Sequence, residues 1–164
     1  MEQKTGVIIC RCSAGIGENT TEKIAEGLRN FAADVFELHD LCAFSLSEKA
    51  FLQTLATNYQ HKIIIACYPR AVKNMLLQAG VDFGSFEVLN FRELPAEIIL
   101  SRLEHDFHLS KGEAHYEVKT SDLEVPAWYP VIDESLCTLC GKCARFCLFG
   151  VYRYDKKSLE VVDP

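Results

Sequence analysis

No apolar run in this 164-residue chain approaches the roughly 20 residues that span a bilayer, so a transmembrane segment is not expected. A basic excess is missing too. The 17 lysines and arginines are outnumbered by 23 aspartates and glutamates, and the net charge of −6 argues against a nucleic-acid binder. The opening Met1-Glu2-Gln3-Lys4-Thr5 lacks the basic start and apolar core of a secretory signal. Internal repeats and low-complexity stretches are absent. Without an export signal, the eight cysteines do not read as a disulfide framework, and a reducing cytoplasm is the expected compartment. About half the residues are apolar, enough to give one ordinary domain and a small module a core without staples.

What is present is cysteine, and half of it is crowded together. Cys137, Cys140, Cys143 and Cys147 fall within eleven residues, spaced C-x2-C-x2-C-x3-C. This is the bacterial ferredoxin spacing for a [4Fe–4S] cluster, and soft thiolates suit iron–sulfur chemistry. The short gaps let one tight turn aim several sulfurs at a small cube, and Gly141 permits a sharp bend close to it. Zinc modules separate their cysteine pairs by a dozen or more residues, so zinc is the weaker reading. Lys142 and Arg145 flank the loop and read as solvated residues. The alternatives are a small effect on potential or contact with an acidic partner.

The first hundred residues alternate strand and helix. Gly6–Cys10, Asp34–Leu38, Ile63–Cys67 and Phe86–Phe91 read as buried strands. Asn19-Thr20-Thr21-Glu22 carries a capping signal ahead of Ile24, Leu28 and Phe31 at helical spacing. Ser47 is read as the cap of a second helix bearing Phe51, Leu52 and Leu55. A third helix runs from about Ala71 to a Gly80 cap, and Pro95 starts a fourth with Ile98, Ile99 and Leu103 inward. The fold class expected is α/β: a parallel four-stranded sheet flanked by helices, flavodoxin- or Rossmann-like, in order 2-1-3-4, followed by a small ferredoxin-like iron–sulfur module. The domains expected are 1–104, a polar linker over 105–124, and the module over 125–164. Within the module the expectation is a strand at Val131-Ile132, the cysteine loop, a helical turn, and a hairpin of Val151–Tyr154 with Leu159–Val162. Trp128 and Tyr129, between Pro126 and Pro130, read as packing residues.

The other cysteines are Cys10, Cys12, Cys42 and Cys67. Each falls at or just after the C-terminal end of one of the first three strands. In a parallel sheet those ends share one edge, where ligands bind at the switch point between the first and third strands. A second metal or cluster site is the leading reading, ahead of a redox dithiol or inert buried thiols. The loop Ser13-Ala14-Gly15-Ile16-Gly17 has an incomplete glycine pattern for a dinucleotide, even with Glu37 or Asp40 available for a ribose. No arginine follows Cys10 or Cys12 at the spacing of a phosphatase loop. Arg70 reads as a solvated residue beginning a helix, with countercharge to a cluster as the alternative. His39, His61, His105, His108 and His115 show no metal-ligand spacing among themselves.

Four segments together resemble the N-terminal domain of the heterodisulfide reductase A family. They are Gly6-Val7-Ile8-Ile9-Cys10-Arg11-Cys12, the Cys42 position, Ala66-Cys67-Tyr68-Pro69-Arg70, and Phe86 through Glu93. That family also carries ferredoxin-type modules, which residues 131–162 resemble. The resemblance implies an electron-transfer subunit of an anaerobic redox complex, with disulfide-reductase-like, hydrogenase or formate dehydrogenase components as partners. Leu94-Pro95 stands where the family has a cysteine, and Leu148 where ferredoxin loops place proline. The family's flavin domain has no counterpart, so the chain by itself is not expected to bifurcate electrons. In two-cluster ferredoxins the fourth cysteine serves the other cluster, which makes a piece of a longer or divided polypeptide the favoured expectation, with Cys147 closing its own cluster or a partner supplying a ligand as the alternatives. Two other functions stay open: a thiol–disulfide enzyme using the N-terminal cysteines, and a zinc- or cluster-stabilised interaction module.

Overall fold

A computed structural model describes residues 4–12, 18–123, 132 and 135–162. The chain divides into two compact units, Met1–Val125 and Pro126–Pro164.

The larger unit is built around short runs of β-branched and apolar residues that bury both faces. These form β1 (Thr5–Cys10), β2 (Asp34–Leu38), β3 (His61–Ala66) and β4 (Glu87–Asn90), all parallel. Val7, Ile9, Ile64 and Ile65 at its centre are wholly buried, as a parallel sheet covered on two sides requires. Connecting them are α1 (Glu18–Leu28), α2 (Leu41–Ser47), α3 (Lys49–Asn58) and α4 (Pro69–Ala79), while α5 (Ala96–His105) follows β4. Helix α1 packs with α5, and α2 with α3 and α4. The expected order 2-1-3-4 is present, with the reversal between β1 and β3.

The sheet has a fifth strand, and the linker expected over 105–124 is corrected accordingly. β5 (His115–Lys119) pairs in parallel with β2, from Asp34 opposite His115 to Leu38 opposite Lys119. Its polar, half-exposed residues suit a sheet edge, where charge discourages pairing with other chains. That is why it reads as linker in sequence.

Three helix details also differ. Ser47 ends α2, a helix not anticipated, rather than capping α3. Asp40 caps α2 by accepting the Cys42 N–H at 2.8 Å. Ile98 is 46% exposed, not inward, whereas Ile99 and Leu103 are fully buried. Gly80 does cap α4, at φ 73°.

At the N-terminal end of the sheet, Tyr59 lies against Gly6 so closely that a Cβ there would stand 2.7 Å from the ring. The phenol donates to Asp34 Oδ2 at 2.8 Å, and Lys4 pairs with the same oxygen at 2.7 Å. Burial would raise the Asp34 carboxyl, but Lys4 and Tyr59 together bring it below its usual value. A carboxyl depressed on folding stabilises above its unfolded pKa, and that contribution is lost as pH falls through the folded value. Asp34→Asn should therefore cost about 1–2 kcal/mol near neutral pH. In urea titrations the gap from the parent protein should close in acid.

In the smaller unit, α6 (Lys142–Phe146) follows the cysteine loop, and β6 (Tyr152–Tyr154) and β7 (Leu159–Val161) form an antiparallel pair. The helical turn and hairpin match expectation. Ile132 is not in a strand, and Val131 lies outside the described residues, as do Pro126, Trp128, Tyr129, Pro130 and the loop Ser13–Gly17.

Candidate iron–sulfur site

The loop from Cys137 to Cys147 turns twice through left-handed backbone. Leu139 has φ 52° and Gly141 φ 68°. For Leu139 this is a strained conformation, held by an external clamp: the Tyr154 hydroxyl donates to the Leu139 carbonyl at 2.7 Å. The Tyr154 ring also covers Gly141, where a Cβ would meet it at 2.4 Å. Glycine is thus needed there twice, for its φ and for the approach of the ring. Arg145 Nη2 donates to the Cys140 carbonyl at 2.8 Å, tying α6 back onto the loop. The Cys147 N–H closes on the Cys143 carbonyl at 3.0 Å, so the last cysteine ends the helix. Sequence reasoning found the four cysteines and Gly141 but missed Tyr154. Its position eleven residues after Cys143 acquires meaning only once the β6–β7 hairpin folds back.

Cys140 and Cys143 are exposed, and Cys137 and Cys147 half-buried. The Cys140 thiol is held below its ordinary pKa, first by the Lys142 backbone N–H and then by the Thr138 side chain. A thiol pre-disposed to be thiolate suits a soft-metal ligand. The donor set fits a [4Fe–4S] cluster in number, softness and spacing.

The second cysteine set lies on the C-terminal edge of the five-stranded sheet. Cys10 ends β1 and is buried, Cys12 follows it, Cys42 occupies the first turn of α2, and Cys67 comes directly after β3. Cys12 is near enough to help raise the thiols of Cys10, Cys42 and Cys67, and Cys67 that of Cys42. The parallel pairing of β1 with both β2 and β3 puts these four positions on one edge of the sheet. The Leu41 N–H donates to Cys10 Sγ at 3.4 Å, fastening the start of α2 to the end of β1.

These thiols are the reverse of Cys140. A hydrogen bond with Cys12, together with burial, pushes Cys10 well up. Burial, aided by Asp40, raises Cys42 to about 12. Burial raises Cys67 as well, against the opposing pull of the Tyr68 N–H and Arg92. Such thiols are poor nucleophiles at neutral pH, while a bound metal ion deprotonates a coordinating thiol outright. In protein stripped of iron, iodoacetamide at pH 7 should label Cys140 first and Cys10, Cys42 and Cys67 last. Peptide mass mapping over a time course reads the order.

Arg11, between Cys10 and Cys12, is steadied by Glu37 at 3.6 Å, and Glu37 accepts a short hydrogen bond from the Tyr116 hydroxyl. Glu37 is thereby engaged, which weakens the ribose role considered for it. Arg70 is exposed in the first turn of α4, as its solvated reading expects. Among the described residues, no group of three or more His, Cys, Asp or Glu side chains stands close enough together to hold a metal ion as placed. No helix among the described residues is long and apolar enough to cross a membrane.

No curated protein and no solved structure matches the chain. Residues 129–152 match the family model described as a 4Fe-4S binding domain, a stretch that spans all four clustered cysteines, and the chain thus carries an iron–sulfur module of the [4Fe–4S] type.

Proposed function

We propose that this chain is an electron-relaying subunit or fragment of a heterodisulfide-reductase-like anaerobic redox complex, without a catalytic centre of its own. The observation that carries the reading is the C-x2-C-x2-C-x3-C loop within the matched 4Fe-4S binding domain. Such a domain supports a general role in iron–sulfur electron transfer. Cys137, Cys140, Cys143 and Cys147 would hold the cluster, which when bound supplies one-electron redox chemistry. Tyr154 and Arg145 keep the loop in its left-handed turns, and the Lys142 N–H supports the charge on the Cys140 sulfur.

Cys10, Cys12, Cys42 and Cys67 would ligate a second cluster on the sheet edge. Their raised thiols speak against thiol–disulfide catalysis at neutral pH. The partners in this reading are other redox subunits, such as disulfide-reductase-like, hydrogenase or formate dehydrogenase components, and the compartment is the cytoplasm.

Serine replacement of Cys10, Cys12, Cys42 and Cys67 tests the second cluster. Anaerobically purified protein should fall from about eight irons per chain to about four, with the module's signal intact. Unchanged iron together with loss of a disulfide-reducing activity would favour the thiol enzyme instead.

A further inference from the structure

Helix α6 presents Lys142, Arg145 and Phe146 together, at i, i+3 and i+4. Phe146 is 85% exposed, and with Lys142, Cys143 and Arg145 it lines an open hollow of about 500 Å³. Leu136 (76% exposed) and Phe149 (49%) add to the apolar surface displayed by this unit. An aromatic ring so uncovered, on a helix that carries one of the clustered cysteines, has no role in the core of the small unit. Aromatic side chains and arginine are the residues that anchor protein interfaces.

The unit Pro126–Pro164 carries five basic and five acidic residues, so any complementarity is local to the face and not a property of the unit's net charge. Asp155 is taken up by the Lys157 and Ser158 N–H groups, and Glu160 faces Arg153 at 3.6 Å. Neither Lys142 nor Arg145 has an ion-pair partner among the described residues. On α6 itself, Lys142 and Arg145 thus stand as two positive charges beside the exposed Phe146.

We infer that the Lys142–Arg145–Phe146 face of α6 is the docking surface for an electron-exchange partner with an acidic rim around an apolar contact. This deepens the electron-relay reading and rests on it. Small interfaces suffice for transient redox encounters, and complementary charge chiefly accelerates their formation. The face includes the exposed Cys143, so a partner seated on it lies against one of the loop's cysteines.

The test uses the full chain with its cluster loaded and reduced, mixed anaerobically with oxidised plastocyanin of strongly acidic surface as the probe. One electron passes: [4Fe–4S]⁺ returns to [4Fe–4S]²⁺, copper(II) becomes copper(I), and no proton moves. The expected rate falls about tenfold as ionic strength rises from about 10 to about 300 mM. The net charge of −6 alone predicts the opposite sign, so this arm needs no variant. Lys142→Gln, which keeps the backbone N–H to Cys140, should lower the low-salt rate about threefold and flatten the salt dependence, with the reduction potential measured on the same sample because the Lys142 charge also acts on Cys140. Phe146→Ala should lower the rate about fivefold and leave the salt dependence alone. Iron content and the reduced-cluster signal must match the parent in both. A wild-type rate that rises with salt, or variants as fast as the parent, would overturn the inference. So would a dimer in sedimentation that Phe146→Ala dissolves, because the face would then belong to a second copy. A parent preparation with no reducible cluster would overturn the relay reading beneath it and is recognised before any mixing.

Discussion

Cys140→Ala should abolish the module's cluster. Iron attributable to residues 137–147 should drop from about four per chain to near none, and the broad visible absorption of that cluster should go with it. Cys140 is the middle thiolate of the closely spaced three. It is also the one whose ionisation is already favoured, by the Lys142 N–H and Thr138. A cubane held by the remaining thiols would expose one iron to solvent in a loop that already carries the strained Leu139 turn. Circular dichroism should show the larger unit intact, because its five-stranded sheet and core lie within Met1–Val125. Serine at the same position is the milder control, since an alkoxide is a poor substitute for thiolate toward iron. Retention of about four irons and an unaltered spectrum in the alanine variant would exclude Cys140 as a ligand.

Gly6→Ala should destabilise the larger unit by about 1–3 kcal/mol, a typical cost of overpacking. The new methyl would stand 2.7 Å from Tyr59 Cγ, far inside contact distance, and the ring has little room to retreat. It packs edge-on against Phe36 with centroids 5.7 Å apart, and its hydroxyl is held by Asp34. A shift of the ring would therefore disturb the N-terminal end of β1 and β2 together. Tyr59→Ala alone should also destabilise, by removing both the packing and the hydrogen bond. The double variant should be more stable than the sum of the two single losses implies, because the clash is gone. Denaturant unfolding followed by signals of the larger unit measures all four proteins. Additive losses would mean that Gly6 is small for some other reason.

How much of this was legible in sequence follows from which forces act locally. The inner strands β1, β2 and β3 were readable because parallel strands covered on both faces need apolar runs, as in Ile63-Ile64-Ile65. β5 was not, because an edge strand with charged residues looks like a loop until β2 is beside it. Helix α2 was hidden between the close of β2 and the stronger pattern of α3. Its signal was there in Asp40 two residues before Cys42, the Asx-type cap that the structure uses. The cysteine loop was legible from spacing alone, since a small inorganic core demands local ligands. The common edge shared by Cys10, Cys12, Cys42 and Cys67 followed from strand order, which places the ends of β2, β1 and β3 side by side. Tyr154 was invisible because its role depends on a hairpin returning across the loop and on a backbone carbonyl, neither of which leaves a sequence pattern. The exposure of Ile98 has a similar origin: periodicity gives a helix face, and what covers that face is decided by tertiary packing.

The central claim is that thiolates within residues 137–147 hold a redox-active [4Fe–4S] cluster. Low-temperature electron paramagnetic resonance after dithionite reduction, with iron and sulfide quantified on the same anaerobic sample, tests it most directly. A reduced [4Fe–4S] signal and at least about four irons per chain are expected, with about four irons and the module's own signal lost on Cys140→Ala. A colourless, iron-free, signal-silent chain after reconstitution with excess iron and sulfide would contradict it.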